Sequence, residues 1–313
     1  MTAAPRDWPT EGPIDLRVHD LPHASSTTEW WYVNSHLQTA SGRQIGVFAS
    51  FFRIATGRDA ATDELQYAHS LSWALADSDG GASHAESLVD RAAPELGRRR
   101  LAQGEGTGDP RLRRALLEVL EKDRVPYPDQ LFVREPVVGI DHLELDFDGR
   151  RFHKRDDGTY QLELTNPHAR VGCDLVFAPR KGPVRHGDDG VVRSVHGEDM
   201  FYYFLPRCDV TGTITIDGEV EPLAAASTGW YDHEFGRHHQ ADEAPASAKG
   251  SPEANPAGAA EPGASPAART AEIAWNWVAV QLDDGSEVTG CELIDTNSGE
   301  TVGRWAVEID ADG

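Results

Sequence analysis

The chain has 313 residues, with 52 acidic against 29 basic side chains and a formal charge of −23, so it repels phosphate backbones and anionic lipid heads and fits poorly with nucleic acid or membrane surfaces. At about 150 residues per domain the length suggests two domains, long enough to bury a substantial core. Three widely spaced cysteines, Cys173, Cys208 and Cys291, show no C-x-x-C spacing, which argues against zinc or dithiol exchange and for a reducing compartment.

The opening stretch MTAAPRDWPTEGP has no basic region followed by apolar residues, and no segment approaches the ~20 apolar residues of a membrane span. A cytoplasmic protein without stable membrane insertion is expected. The first predicted element is a strand over Glu29–Leu37, with Trp30, Tyr32, Asn34 and His36 on one face and Glu29, Trp31, Val33, Ser35 and Leu37 on the other. Strands at Gln44–Ile54 and Tyr67–Asp77 follow. Helical spacing appears once, as a short helix near 110–122: Asp109 can cap it, Pro110 can open it, and Leu112, Ala115, Leu116, Val119 and Leu120 recur at three- and four-residue intervals before Val125-Pro126. Further strands are predicted at His142–Phe147, Thr159–Thr165, Ala169–Phe177, Met200–Leu205, Asp209–Ile216, Ser227–His233, Trp275–Leu282, Glu287–Ile294 and Thr301–Ile309. The pairs Asp148-Gly149, Asp157-Gly158, Asp217-Gly218 and Asp284-Gly285 mark hairpin turns between them. Many strands at this spacing indicate an all-β protein of antiparallel barrels or sandwiches.

Residues 238–271 differ. They are rich in Ala, Pro, Gly and Ser and hold no aromatic or branched aliphatic side chain until Ile273, so a disordered linker or insert is expected there. Four segments result: an N-terminal extension at 1–14, a β-rich domain at 15–237, the linker at 238–271, and the start of a second β domain at 272–313. Three strands can neither close a barrel nor hide their edges. They are expected to pair with the first body, or the natural chain continues beyond Gly313.

The densest polar and aromatic clusters are Thr28-Glu29-Trp30-Trp31-Tyr32 and Gly229-Trp230-Tyr231-Asp232-His233-Glu234-Phe235-Gly236, supported by Tyr67-Ala68-His69-Ser70, Phe201-Tyr202-Tyr203-Phe204 and Trp275-Asn276-Trp277. On a strand Asp232 and Glu234 share a face with Trp230, while Tyr231, His233 and Phe235 share the other. A carboxyl beside an indole wall is chemically useful, because apolar walls raise its pKa and aromatic faces stabilise a cation. The same pattern also describes barrel-core aromatics around one satisfied carboxylate. Asp232 is the candidate acid, and Glu29, Trp30, Trp31, Tyr32, His69, Tyr202, Tyr203, Trp230, Tyr231, His233, Glu234, Trp275 and Trp277 are candidate pocket residues.

The EWWY motif at Glu29–Tyr32, Gly46-Val47-Phe48, Phe51-Phe52-Arg53, the stretch Tyr202–Arg207, the WYDHEFG motif and Trp275-Asn276-Trp277-Val278 occur in this order. Together they resemble the carotenoid 1,2-hydratase (hydroxyneurosporene synthase) superfamily, which includes AttH-type lipocalin-like proteins and kievitone-type hydratases. The resemblance implies two consecutive lipocalin-like β-barrel or sandwich domains around an apolar pocket, the second incomplete here. It also implies that Asp232 protonates a terminal carbon–carbon double bond and water captures the cation, with no cofactor and no metal. Two features depart from the hydratase branch: Trp230 stands where that branch has an aromatic hydroxyl, and Tyr203-Phe204-Leu205 stands where it has His-x-Trp. Family members also continue past the strand at Thr301–Ile309, so a fragment or early-terminated chain is expected.

Other chemistries fit less well. His233-Glu234-Phe235-Gly236-Arg237-His238 narrowly misses H-E-x-x-H and sits in a strand context, and His238-His239 read as solvated. No G-x-S-x-G occurs, and Gly104–Gly108 lacks the lysine of a phosphate loop. His36 and His69 are expected in the core. His19, His23, His84, His142, His153, His168, His186 and His196 are expected at the surface, and Arg53 is expected either to pair with Glu29 or Asp232 or to bind substrate. Two functions remain: a hydratase, cyclase or isomerase of specialised metabolism acting on a hydrophobic isoprenoid, polyene or polyketide, or a lipocalin-like protein that binds a small apolar ligand without chemistry.

Overall fold

The computed structural model describes residues 5–193, 199–225, 227–236, 273–296 and 298–313; the predicted linker, His196, His238 and His239 lie outside them. The chain divides into two compact units, Met1–His238 and His239–Asp312. Both are built mainly of β-strands, as the alternating pattern implies.

The first unit contains, in chain order, β1 (Thr28–Gln38), β2 (Gln44–Arg58), β3 (Leu65–Asp77), β4 (Ala82–Val89), α1 (Ala93–Ala102), α2 (Pro110–Leu120), β5 (Asp129–Leu131), β6 (Val137–Val138), β7 (Glu144–Phe147), β8 (Arg150–Lys154), β9 (Tyr160–Asn166), β10 (Val171–Pro179), β11 (Val184–Arg185), β12 (Val191–Arg193), β13 (Asp199–Ile216), β14 (Glu219–Pro222) and β15 (Thr228–Gly236). They form one curled sheet in the order β5-β4-β3-β2-β1-β15-β13-β10-β9-β8-β7-β6, with β11, β12 and β14 also on β13. Among the described strands of this sheet, β4 and β5 alone run parallel. The last strand, β15, therefore inserts between β1 and β13 at the centre of the sheet. The second unit is an antiparallel meander of β16 (Ile273–Gln281), β17 (Glu287–Asp295) and β18 (Thr301–Ile309).

Hairpins form where the sequence supplies residues that tolerate positive φ. Asp148 and Gly149 join β7 to β8 with φ of 59° and 84°, and Asp217 and Gly218 join β13 to β14 with 53° and 81°, the backbone a primed turn requires. Two expectations are corrected. Met200–Leu205 and Asp209–Ile216 are one 18-residue strand, β13, because Pro206 lacks an N–H and the ladder takes up the mismatch as a register shift between Leu205 and Cys208. The described residues form two helices rather than one. Helix α2 has the predicted Asp109 cap, whose side chain accepts from the Arg111 N–H. Helix α1 has no side-chain cap, and it packs through Gly97, where a Cβ would meet Leu120 at 3.0 Å.

The curl of the sheet brings β2 against β7 and β8, so that Phe51 meets Phe147 at 5.3 Å and Phe152 at 6.2 Å between ring centroids. The enclosed face is filled by large side chains, among them Trp31, Trp73, Tyr160, Phe177, Tyr203 and Tyr231. Trp8 and Ile14 join this core, Trp8 with its ring edge-on to Phe201 and Phe235. One buried carboxylate ties the segment before β1 to the sheet. Asp20 Oδ2 accepts from Tyr160 and Lys154, each at 2.6 Å, and Oδ1 accepts from Tyr203 at 2.5 Å and Tyr231 at 3.2 Å. Removing one partner of a buried ionic cluster leaves the others uncompensated. Asp20→Ala is therefore expected to cost about 3–5 kcal/mol in urea denaturation, and a loss under about 1 kcal/mol would contradict the anchoring role.

Candidate functional site

Strand β15 divides the motif residues between two faces of the sheet. Tyr231, His233 and Phe235 join the enclosed core, whereas Trp230, Asp232 and Glu234 point to the opposite, outer face. Register with β1 and β13 extends each face. On the outer face Tyr32 and Phe204 flank Asp232, and Trp30 and Tyr202 flank Glu234. Glycine opens the motif for a packing reason: a Cβ on Gly229 would lie 2.6 Å from the Phe177 ring.

The outer cluster is aromatic around two carboxyls. The Phe204 and Trp230 rings stack at 4.9 Å, the Trp30 and Phe52 rings at 5.4 Å, and Tyr32 approaches Phe48 at 5.8 Å. Asp232 is fully buried, and its Oδ1 accepts from the Tyr202 hydroxyl at 2.6 Å. Its Oδ2 makes no hydrogen bond of normal geometry among the described residues. Burial pushes the Asp232 carboxyl up to about 7, against the lowering pull of the Tyr202, Tyr32 and Trp230 donors. Glu234 is partly exposed. Burial, then the charge of Asp232, raises it well above the usual carboxylate range. Burial likewise raises the Tyr32 and Tyr202 hydroxyls, so both stay neutral donors. The His186 ring packs on Tyr202 at 4.4 Å, and burial lowers its pKa to about 4.

The inner cluster is a closed ion-pair network. The Arg53 Nε donates to Glu29 Oε2 at 2.8 Å, and its terminal nitrogen donates to the His23 carbonyl at 2.9 Å. Glu29 Oε1 faces His23 Nδ1 at 2.8 Å and His233 Nε2 at 2.9 Å. Burial alone would raise Glu29, but Arg53 and the two imidazoles outweigh it and hold the carboxyl well below its ordinary value. Burial lowers His233, outweighing the pull of Glu29. His23, Glu29 and His233 place one potential ligand atom each within 4.8 Å of one another. Their facing atoms, however, are already matched to one another and to Arg53, so the donor set is that of a salt-bridged strut.

The predicted pocket residues therefore do not form one site. Trp30, Tyr32, Tyr202, Trp230, Asp232 and Glu234 come together on the outer face. Glu29, Trp31, Tyr203, Tyr231 and His233 lie on the core face, as does His69, which pairs with Asp90 at 3.4 Å. Trp275 and Trp277 share one face of β16 in the second unit, with Trp275 62% exposed. Arg53 pairs with Glu29, one of its two expected partners. Three histidine expectations are corrected: His36 is exposed because it sits where β1 leaves the covered part of the sheet, while His23 and His186 are buried by ring packing on Phe235 and Tyr202. Asp20 and His186 gave no sequence signal, since the partner of Asp20, Tyr203, lies 183 residues away and that of His186, Tyr202, meets it only when β11 pairs with β13.

Residues 133–246 match the AttH-like family. No curated protein sequence matches the chain. Among solved structures, a protein described as an AttH from Nitrosomonas europaea superposes with a TM-score of 0.63 at 19% identity, over 97% of this chain and 71% of the other. Kievitone hydratase from Nectria haematococca superposes with a TM-score of 0.55 at 13% identity, over 94% of this chain. The chain spans 64% of the length of that hydratase. These likenesses establish a fold of the AttH and lipocalin-like kind.

The raised carboxyl fixes a pH signature. In the unfolded chain Asp232 loses its proton near its ordinary value of 3.8, and in the folded chain near 7, so folding becomes progressively costlier between those values and the cost is constant above. Asp232→Asn is expected to melt higher than the wild type at about pH 8, by at most about 4 kcal/mol, with the difference vanishing near pH 4. A variant less stable than wild type at both pH values would refute the assignment.

Proposed function

We propose that the chain is a cofactor-independent hydratase-type enzyme that acts on a hydrophobic alkene, an isoprenoid or polyene, at the outer face of β1, β13 and β15. The observation behind this reading is a pair of carboxyls on one strand face, the fully buried Asp232 and Glu234 beside it, both raised in proton affinity and set among the rings of Trp30, Trp230, Phe204, Tyr32 and Tyr202. A carboxyl that keeps its proton near pH 7 can deliver it, and the aromatic faces around it favour a cation. The Asp232/Glu234 pair transfers a proton to one alkene carbon. The π electrons form the new C–H bond, and the cation develops on the more substituted carbon. Water adds its lone pair there, and the released proton returns to the carboxylate, which restores the pair. The same cation, screened from water, would lose a proton or be trapped by a second double bond, giving isomerisation or cyclisation.

The motif resemblance to carotenoid 1,2-hydratases and the fold shared with kievitone hydratase support water addition as the chemistry. Trp230, in place of an aromatic hydroxyl, separates this pocket from that of the carotenoid branch and favours a different alkene as substrate. A lipocalin-like binder would not need a raised carboxyl, whereas general acid catalysis does.

The test uses acyclic isoprenoid polyenes in ¹⁸O-labelled water. The wild type is expected to give an ¹⁸O-bearing alcohol, and Asp232→Asn is expected to lower steady-state turnover by about 10²-fold or more. Recovery of the polyene bound but unaltered would favour the binding protein instead.

A further inference from the structure

We infer that the transferable proton of the site resides on Glu234, and that Asp232 is the fixed carboxylate that reloads it. The inference deepens the acid-catalysis reading above and rests on it for its catalytic part alone. Two positions apart on β15, the side chains lie on one face about 7 Å apart along the strand, yet their surroundings differ. Asp232 is fully buried and receives the Tyr202 hydroxyl at 2.6 Å, and the polar groups of Tyr32 and Trp230 nearby also pull its carboxyl down. All of these favour its anion. Glu234 makes no hydrogen bond or ion pair with the described residues, is flanked across the strands by Trp30 and Tyr202, and faces the Asp232 charge.

Two like charges this close in an aromatic setting do not both ionise readily, so one proton is retained as pH rises. The donors decide which carboxyl keeps it. The titratable groups facing the pair are Tyr32 from β1 and Tyr202 from β13, both neutral donors, with His186 behind Tyr202 and itself neutral. None of them offers a cation to Glu234. Glu234 is also the partly exposed member of the pair, so a ligand on this face reaches it first. In the catalytic step the Glu234 O–H bond breaks as the substrate C–H bond forms. Asp232 then accepts the proton released by the attacking water and passes it to the Glu234 carboxylate.

Infrared titration of the full chain tests this without a substrate. Between about pH 5 and about pH 9 the wild type is expected to keep a protonated-carboxyl band above the first titration step. Glu234→Gln is expected to abolish that persistent band. Asp232→Asn should retain it and shift its loss to lower pH, because the neighbouring anion is gone. Tyr202→Phe, which removes a donor to Asp232, should raise the first step by roughly one unit and leave the assignment of the second unchanged. Loss of the persistent band in Asp232→Asn with retention in Glu234→Gln would place the proton on Asp232 and overturn the inference, as would the absence of any such band in the folded wild type. Thermal melts establish that each variant is folded. If the band follows the expected pattern but no polyene is turned over, the proton assignment stands and the hydratase reading fails.

Discussion

The period of two along β15 is the constraint on which the rest of the molecule depends. Neighbouring residues of a strand face opposite ways, so Tyr231-Asp232-His233-Glu234 alternates between a packed interior and an outer face. The strand sits at the centre of the sheet, bonded to β1 on one side and β13 on the other. A one-residue slip would exchange the faces, driving Asp232 and Glu234 into the core and turning His233 away from Glu29. The inner network of Glu29, His233, His23 and Arg53 fixes that register, because its partners come from β1, β15, β2 and the segment before β1.

The two faces differ in what they contribute. On the core face every charge is compensated: Asp20 gathers Lys154 and three tyrosines, and Glu29 gathers Arg53 and two imidazoles. Buried ionic groups arranged in this way specify one strand arrangement, because breaking any contact strands a charge. On the outer face two carboxyls stand without a cation among the described residues, and their raised proton affinity is a cost to folding at neutral pH. Strain of this sort concentrates where chemistry is done. The rigid core allows it, and the interior is filled by rings such as Phe51, Phe147, Phe152 and Tyr231.

Much of this was legible in the residues. Asp-Gly pairs mark the hairpins because their backbone prefers positive φ, and Asp109-Pro110 marks the start of α2 because cap and first turn are local interactions. Alternation also separates Asp232 and Glu234 from Tyr231 and His233. It does not reveal which face is enclosed, so by sequence alone inner residues such as Trp31, Tyr203 and His233 are indistinguishable from the outer ones. Pro206 reads as a strand end, yet the ladder absorbs it as a bulge. Helix α1 begins without a side-chain cap and carries three consecutive arginines, so no local signal announces it. Asp20 and His23 were invisible because their roles depend on partners that only the curled sheet brings near.

The central claim is that the outer face of β1, β13 and β15, rather than the enclosed interior, receives the ligand. Photo-crosslinking with a diazirine-bearing isoprenoid, followed by peptide mass spectrometry, tests it directly. Labels on Tyr32, Tyr202, Trp230 or Glu234, suppressed by excess unlabelled isoprenoid, are the result this account requires. Labels concentrated on Trp31, Phe51, Phe152 or Tyr231 would show that the ligand enters the core and would contradict it.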